Sequence, residues 1–181
     1  MSSYRAIADV THELRQQILQ ALRSIPEIEF SDDNEIERIV LAAPRDGLPQ
    51  NAVVSLYLYQ IELDALRLNE PLRAGQGSAD LSLPAPFSIR LHYLLTPIRY
   101  SESDNQLLLG RVLTHFHEVP LVSIQPTGPD GAASTPDFRA QVTIEDLSLE
   151  QITQLWTALS MPFRVSLPLL VTGVVIGGPD H

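Results

Sequence analysis

The 181-residue chain contains no cysteine and no lysine. Without thiols it can form neither a disulfide nor a thiolate zinc site, a composition compatible with a reducing cytoplasm. Without lysine it cannot supply the G-K-[ST] of a P-loop, so the glycine-containing stretches GQGSAD and GPDGAAS are not phosphate cradles. Neither reads as a dinucleotide fingerprint. All positive side chains are arginine, and 12 of them against 22 acids leave a net charge of −10. That excess of acid opposes contact with a phosphate backbone, so no direct nucleic-acid partner is expected. Long apolar runs are missing too. LPLLVTGVVIGG falls short of the ~18 residues of a membrane span, so no membrane insertion is expected. The opening MSSYRAIADVTHELRQ lacks the apolar centre of a signal peptide.

What is present suits one globular domain spanning residues 1–181. A chain of this length buries roughly 70% of the surface its unfolded form exposes. Ile7, Val10, Leu14, Ile18, Ala21, Leu22 and Ile25 recur at three- and four-residue steps and predict a helix from about Ser3 to Ser24, ended by Pro26. IERIVLAAP reads as a strand closed by Pro44. NAVVSLYLYQIEL, apolar on both faces, reads as a central strand. FSIRLHYLL alternates, with Phe87, Ile89, Leu91, Tyr93 and Leu95 on one side and Ser88, Arg90 and His92 on the other. A helix starting near Ser103 or Asp104 carries the stripe Leu108, Leu109, Val112, Leu113 and Phe116, with Gly110 where another element can approach. RAQVTIEDL reads as a strand or extended segment. LSLEQITQLWTAL is a helix with a capping box at Ser148 and Gln151, a staple of Leu147 on Ile152, and an inward face of Ile152, Leu155, Trp156 and Leu159. PFRVSLPLLVTGVVI closes the chain as a strand, Pro168 suggesting an edge or bulge. This order predicts an α/β (α+β) fold: a mixed sheet of about four to six strands with about three helices packed on it. Long loops at about 69–86 and 123–138 interrupt it, and loops of that length are commonly binding surfaces.

The stretch that most invites a catalytic reading is THFHEVP. On a helix, His115 and His117 point about 200° apart and cannot hold one ion together. His12, His92 and His181 supply no ligand-spaced third group. A histidine in a last helical turn faces the negative end of the dipole and can bond open carbonyls, so the pair reads as a helix end. No serine occupies a G-x-S-x-G elbow. The acid pairs Asp32–Asp33 and Glu145–Asp146 read as solvated turns, and Trp156 as core. No catalytic, cofactor or metal constellation emerges, and the chain is not expected to be an enzyme.

Three stretches together, VVSLYLYQIELDALRLNEPLR, PAPFSIRLHYLLTPIRYSESDNQLLLGRVLTHFHEVPLV and VTIEDLSLEQITQLWTALSMPFRVSLPLLV, resemble the tail-terminator or cap proteins of contractile, phage-tail-like injection systems. Order and spacing carry the match, which covers nearly the whole chain. Tyr93, Leu94, Gly110, Trp156 and Phe163 look like its fold determinants. The resemblance implies a cofactor-free structural protein assembled as a six-membered ring, closing the inner tube and anchoring the sheath at the end away from the baseplate. Its expected partners are other copies of itself and the tube and sheath proteins. Assembly is expected in the cytoplasm, with the particle retained, membrane-attached or released. Some relatives carry further C-terminal sequence, and functions borne by it are not carried over. The two long loops and the chain ends are expected to meet tube and sheath. Arg73, Asp80, Arg99, Tyr100, Asp130 and Asp137 are the candidate interface residues. The alternative is a non-catalytic binding module whose loops take a peptide or small ligand.

Overall fold

The computed structural model describes residues 5–26, 35–45, 47–64, 87–98, 101–124 and 138–176. Helix α1 (Ala6–Leu22) buries Ala6, Val10, Leu14, Ile18, Leu19, Ala21 and Leu22. Ile7, expected on that face, is only partly buried, and Ala6 and Leu19 join the stripe instead. Leu14, Ile18 and Leu22 are fully enclosed, each worth about 1.5–3 kcal/mol of apolar transfer.

Among the described residues six strands form one sheet in the order β1-β2-β3-β6-β5-β4. They are β1 (Ile39–Val40), β2 (Val54–Leu63), β3 (Phe87–Pro97), β4 (Leu121–Ile124), β5 (Phe138–Ile144) and β6 (Leu167–Ile176). Of these strands β1 and β2 pair in parallel, and the other neighbouring pairs are antiparallel. With α1, α2 (Glu102–Glu118) and α3 (Leu149–Ala158), this is the expected mixed-sheet α+β architecture. Helices α1 and α2 pack on one face over Leu56, Ile89, Leu91, Tyr93, Leu169 and Val171. Two polar links fix their seating. The Thr11 hydroxyl donates to the Ile7 carbonyl and lies 2.7 Å from the buried Tyr93 hydroxyl, whose pKa burial pushes up to about 12. Arg111 of α2 donates from Nε to Ser24 Oγ at 2.6 Å and the Ala21 carbonyl at 3.4 Å, holding the open end of α1.

Several elements differ from the sequence-based expectation. The first predicted strand shrinks to two residues, because Glu35–Arg38 forms a 3-10 turn and the Ser55 hydroxyl donates to the Ala42 carbonyl at 2.5 Å where the ladder would continue. Strand β2 is not enclosed on both faces: its first half is buried, while Ile61 and Leu63 are 52% and 60% exposed. The polar side of β3 is buried instead, including Ser88, His92 and Thr96. In α2, His115 takes the buried position expected for Leu113. Gly110 is exposed and a side chain there would meet nothing, so no close packing explains it. Leu121–Ile124 forms the edge strand β4, with Val122 and Ile124 buried, and extends into the stretch read as loop. The capping box of α3 is present, yet of its expected inward face only Trp156 is fully buried. Pro168 lies in an interior strand, not an edge. It stands near the strand's start, and its carbonyl accepts from Glu145 N at 3.0 Å. Phe163, expected as a fold determinant, is 51% exposed.

The bulge of β6 is real and lies further on. Ile89 pairs with Val174 and Leu91 with Val171, leaving an extra residue in β6 opposite Arg90. Gly173 there has φ +84°, a conformation that suits glycine.

Candidate functional site

Arg73, Asp80, Arg99, Tyr100, Asp130 and Asp137 all lie outside the described residues, as does nearly all of both predicted loops. The histidine pair is where the sequence places it, in the last turn of α2. His115, however, does not reach the open carbonyls: its Nε2 meets Gln17 Oε1 of α1 at 2.9 Å, and its ring stands edge-on to Phe116. Burial, followed by the charge of Arg111, lowers its pKa. It is a helix-packing residue. Among the described residues no group of three His, Asp or Glu side chains is placed to hold a metal ion.

A polar cluster that sequence reasoning missed lies on the sheet face opposite the helix pair. Alternation along β2 puts Tyr59 on that face, its ring 5.9 Å from that of His92, and a bulge between Leu58 and Gln60 shifts the register so that Glu62 joins it. The imidazole of His92 lies between two carboxylates, with Nδ1 at 3.0 Å from Glu145 Oε2 and Nε2 at 3.3 Å from Glu62 Oε2. Tyr59 donates to the same Glu145 oxygen at 3.2 Å. Burial, and then Glu145, push its phenol well above the ordinary tyrosine range, so it remains a donor. Beside it Arg90 meets Asp64 at 3.5 Å. Glu145, read as a solvated turn acid, therefore ties the β5–α3 connection to β2 and β3. The available signal was the histidine at the centre of the strand, between the apolar Leu91 and Tyr93. Chemically the cluster is a latch: two side chains, His92 and Tyr59, converge on the Glu145 carboxylate and hold α3 at its base.

Two further surfaces matter for contact with other proteins. Among the described residues β1 pairs with β2 only at Val54 and Ser55, so β2 from Leu56 to Leu63 has a strand neighbour on one side only; β4 likewise pairs only with β5. At the rim of the sheet a cleft of 1060 Å³ opens between the 44–52 segment, the first turn of α2 and residues 161–165. Its floor is partly apolar, with Leu48, Ile98, Leu109 and Met161, and its charged lining is Arg38, Arg45 and Arg164 against Glu102 and Asp104.

These features define an α+β domain in which, among the described residues, β2 and β4 have open edges and a cleft lies at the rim of the sheet. The chain belongs to the Pvc16 N-terminal domain family, whose model matches residues 9–181. That is the family type suggested by the resemblance of its strand and helix motifs. Among solved structures it is similar to the sheath/tube terminator of the extracellular contractile injection system PVC in its extended state. The TM-score is 0.59 and the identity 22%, covering 96% of this chain and 57% of that one. It is also similar to the tube-terminating cap of the anti-feeding prophage, with TM-score 0.45, 21% identity, and coverage of 80% and 51%. The chain thus spans little more than half the length of either. Among curated proteins none matches. At these identities the likeness to the PVC terminator is one of fold. No described helix is long and apolar enough to cross a membrane.

Proposed function

We propose that this chain is a structural, non-enzymatic terminator that caps the tube and sheath of a contractile injection particle at the end away from the baseplate. Family membership across residues 9–181 carries the reading. The fold shared with the PVC sheath/tube terminator supports it. In this reading copies assembled in the cytoplasm close into a six-membered ring by head-to-tail contacts and become part of an extracellular particle. Such a ring must match the growing face on one side and present no equivalent face on the other. The task needs surface complementarity rather than a reactive group. The loops at 69–86 and 123–138, with Arg73, Asp80, Arg99, Tyr100, Asp130 and Asp137, remain the proposed contacts to tube and sheath.

Negative-stain imaging of particles from a deletion strain tests the reading directly. Without the chain, tubes should be absent or irregularly long, and the intact chain should restore uniform length. Removing residues 70–85 and 125–137 together, which spares Ile124 of β4, should prevent that rescue while the isolated protein keeps its circular dichroism. Particles of unchanged length and number in the deletion strain would dismiss the capping role.

A further inference from the structure

Among the described residues the chain just before β6 has no strand paired with it on either side. The ladder to β3 ends at Leu95 with Leu167, and the ladder to β5 ends at Ile144 with Leu169. Pro97, two residues past the last β3 pair, has no N–H with which to carry the ladder on. Residues Pro162–Ser166 accordingly have no helix, strand or turn. Among the described residues no backbone–backbone hydrogen bond engages Phe163, Arg164 or Val165; the Arg164 carbonyl accepts only from the Ser166 hydroxyl, at 3.1 Å. Unpaired main chain in line with a strand is a template for another strand. Here it is flanked by exposed apolar side chains, Phe163 at 51% and Val165 at 64%, both lining the rim cleft. Arg45 and Arg164 line the same cleft, and among the described residues neither guanidinium has an ion-pair partner. With Arg38 they outnumber the Glu102 and Asp104 of the same lining three to two, so on a chain of net charge −10 this rim favours acid over base.

We propose that Pro162–Ser166 and the adjoining cleft accept an acidic segment of a partner protein in extended conformation. Its main chain pairs with that of Phe163–Val165, its apolar residues rest on Phe163 and Val165, and its carboxylates face Arg45 and Arg164. The capping reading enters only in placing that partner among the particle's proteins. The probe is a fluorescent ten-residue peptide alternating valine and aspartate, titrated into the full chain by anisotropy, beside the same peptide with lysine for aspartate. The acidic peptide should bind and slow amide exchange at residues 163–165. Arg164→Glu should weaken it roughly tenfold or more, with Arg164→Lys retaining most of the affinity. Val165→Pro, which deletes one donor, should weaken binding more than Val165→Ala. Equal binding of the lysine peptide, unchanged exchange at 163–165, or indifference to Arg164→Glu would each overturn the proposal. If Val165→Pro alters the circular dichroism, the two Arg164 variants decide. Peptide binding by a chain that fails to cap tubes leaves this inference standing and removes the capping role; capping without peptide binding does the reverse.

Discussion

An alanine at Gly173 would have to hold φ +84° with its methyl carbon 3.3 Å from the Arg139 carbonyl oxygen. The left-handed conformation alone costs a non-glycine residue roughly 1–3 kcal/mol, and the contact is with backbone, which yields little. Gly173→Ala should therefore lower unfolding free energy by that amount in urea titration. A change below about 0.5 kcal/mol, the usual range for neutral surface positions, would mean that the β6 bulge is not held as described. Gly110→Ala makes the internal comparison: an added carbon there meets nothing, and helix propensity should raise stability by up to about 1 kcal/mol. His115 offers a residue-scale test of pH. Its pKa is lowered in the fold, by burial first and then by Arg111. The unfolded chain thus takes up the proton at higher pH than the folded one does. The stability linked to this group is whole above about pH 6.5 and is lost as pH falls through the folded value. The drop in urea midpoint between about pH 7.5 and about pH 5.5 should be smaller in His115→Gln than in the parent. Equal drops would show that His115 titrates alike in both states.

At the scale of elements α3 is the most weakly held helix, since only Trp156 among its residues is fully buried. Its stability leans on its ends. Ser148 Oγ accepts from Gln151 N at 3.2 Å, and Gln151 Oε1 accepts from Ser148 N at 2.9 Å. Ser148→Ala should cost about 1 kcal/mol, read as roughly fivefold faster amide exchange within α3 while α1 is unchanged. Unaltered exchange in α3 would place its hold elsewhere, at the His92–Glu145 latch. This capping box was legible in advance because it is a local pattern of four residues, as was the apolar period of α1. Strand β3 was legible in half: alternation marked its core side, but nothing local reveals that the opposite side is closed by Glu62, Tyr59 and Glu145, contributed from distant parts of the chain. The bulge that brings Glu62 there is a matter of register between two strands, and register is not a property of either strand alone. The short first strand was misread for the same reason, because a side chain on β2 takes up its carbonyl. The open segment before β6 was likewise invisible, since it is defined by where its two neighbours stop.

At the scale of the whole molecule, charge and apolar surface pull assembly in opposite directions. Each copy carries −10, so the proposed ring gathers like charge and pays for closure with repulsion. The apolar surface available to offset it includes Leu107, Leu113, Val119 and Leu121, which follow one another along α2 and into edge strand β4 and are each 38–45% exposed. Burial of such groups does not weaken as salt rises, whereas repulsion is screened over a Debye length that shrinks from about 10 Å at 0.1 M to about 3 Å at 1 M. The ring fraction measured by size exclusion with light scattering should therefore grow between about 0.05 M and about 0.5 M sodium chloride. Binding of the acidic peptide at the Arg45–Arg164 rim should weaken over the same range, because it depends on attraction between opposite charges. The two opposed slopes separate the contacts. A ring that dissociates as salt rises would mean that copies are joined by paired charges, and Leu121→Asp would then leave the ring intact; under the apolar reading, Leu121→Asp abolishes it at every salt concentration.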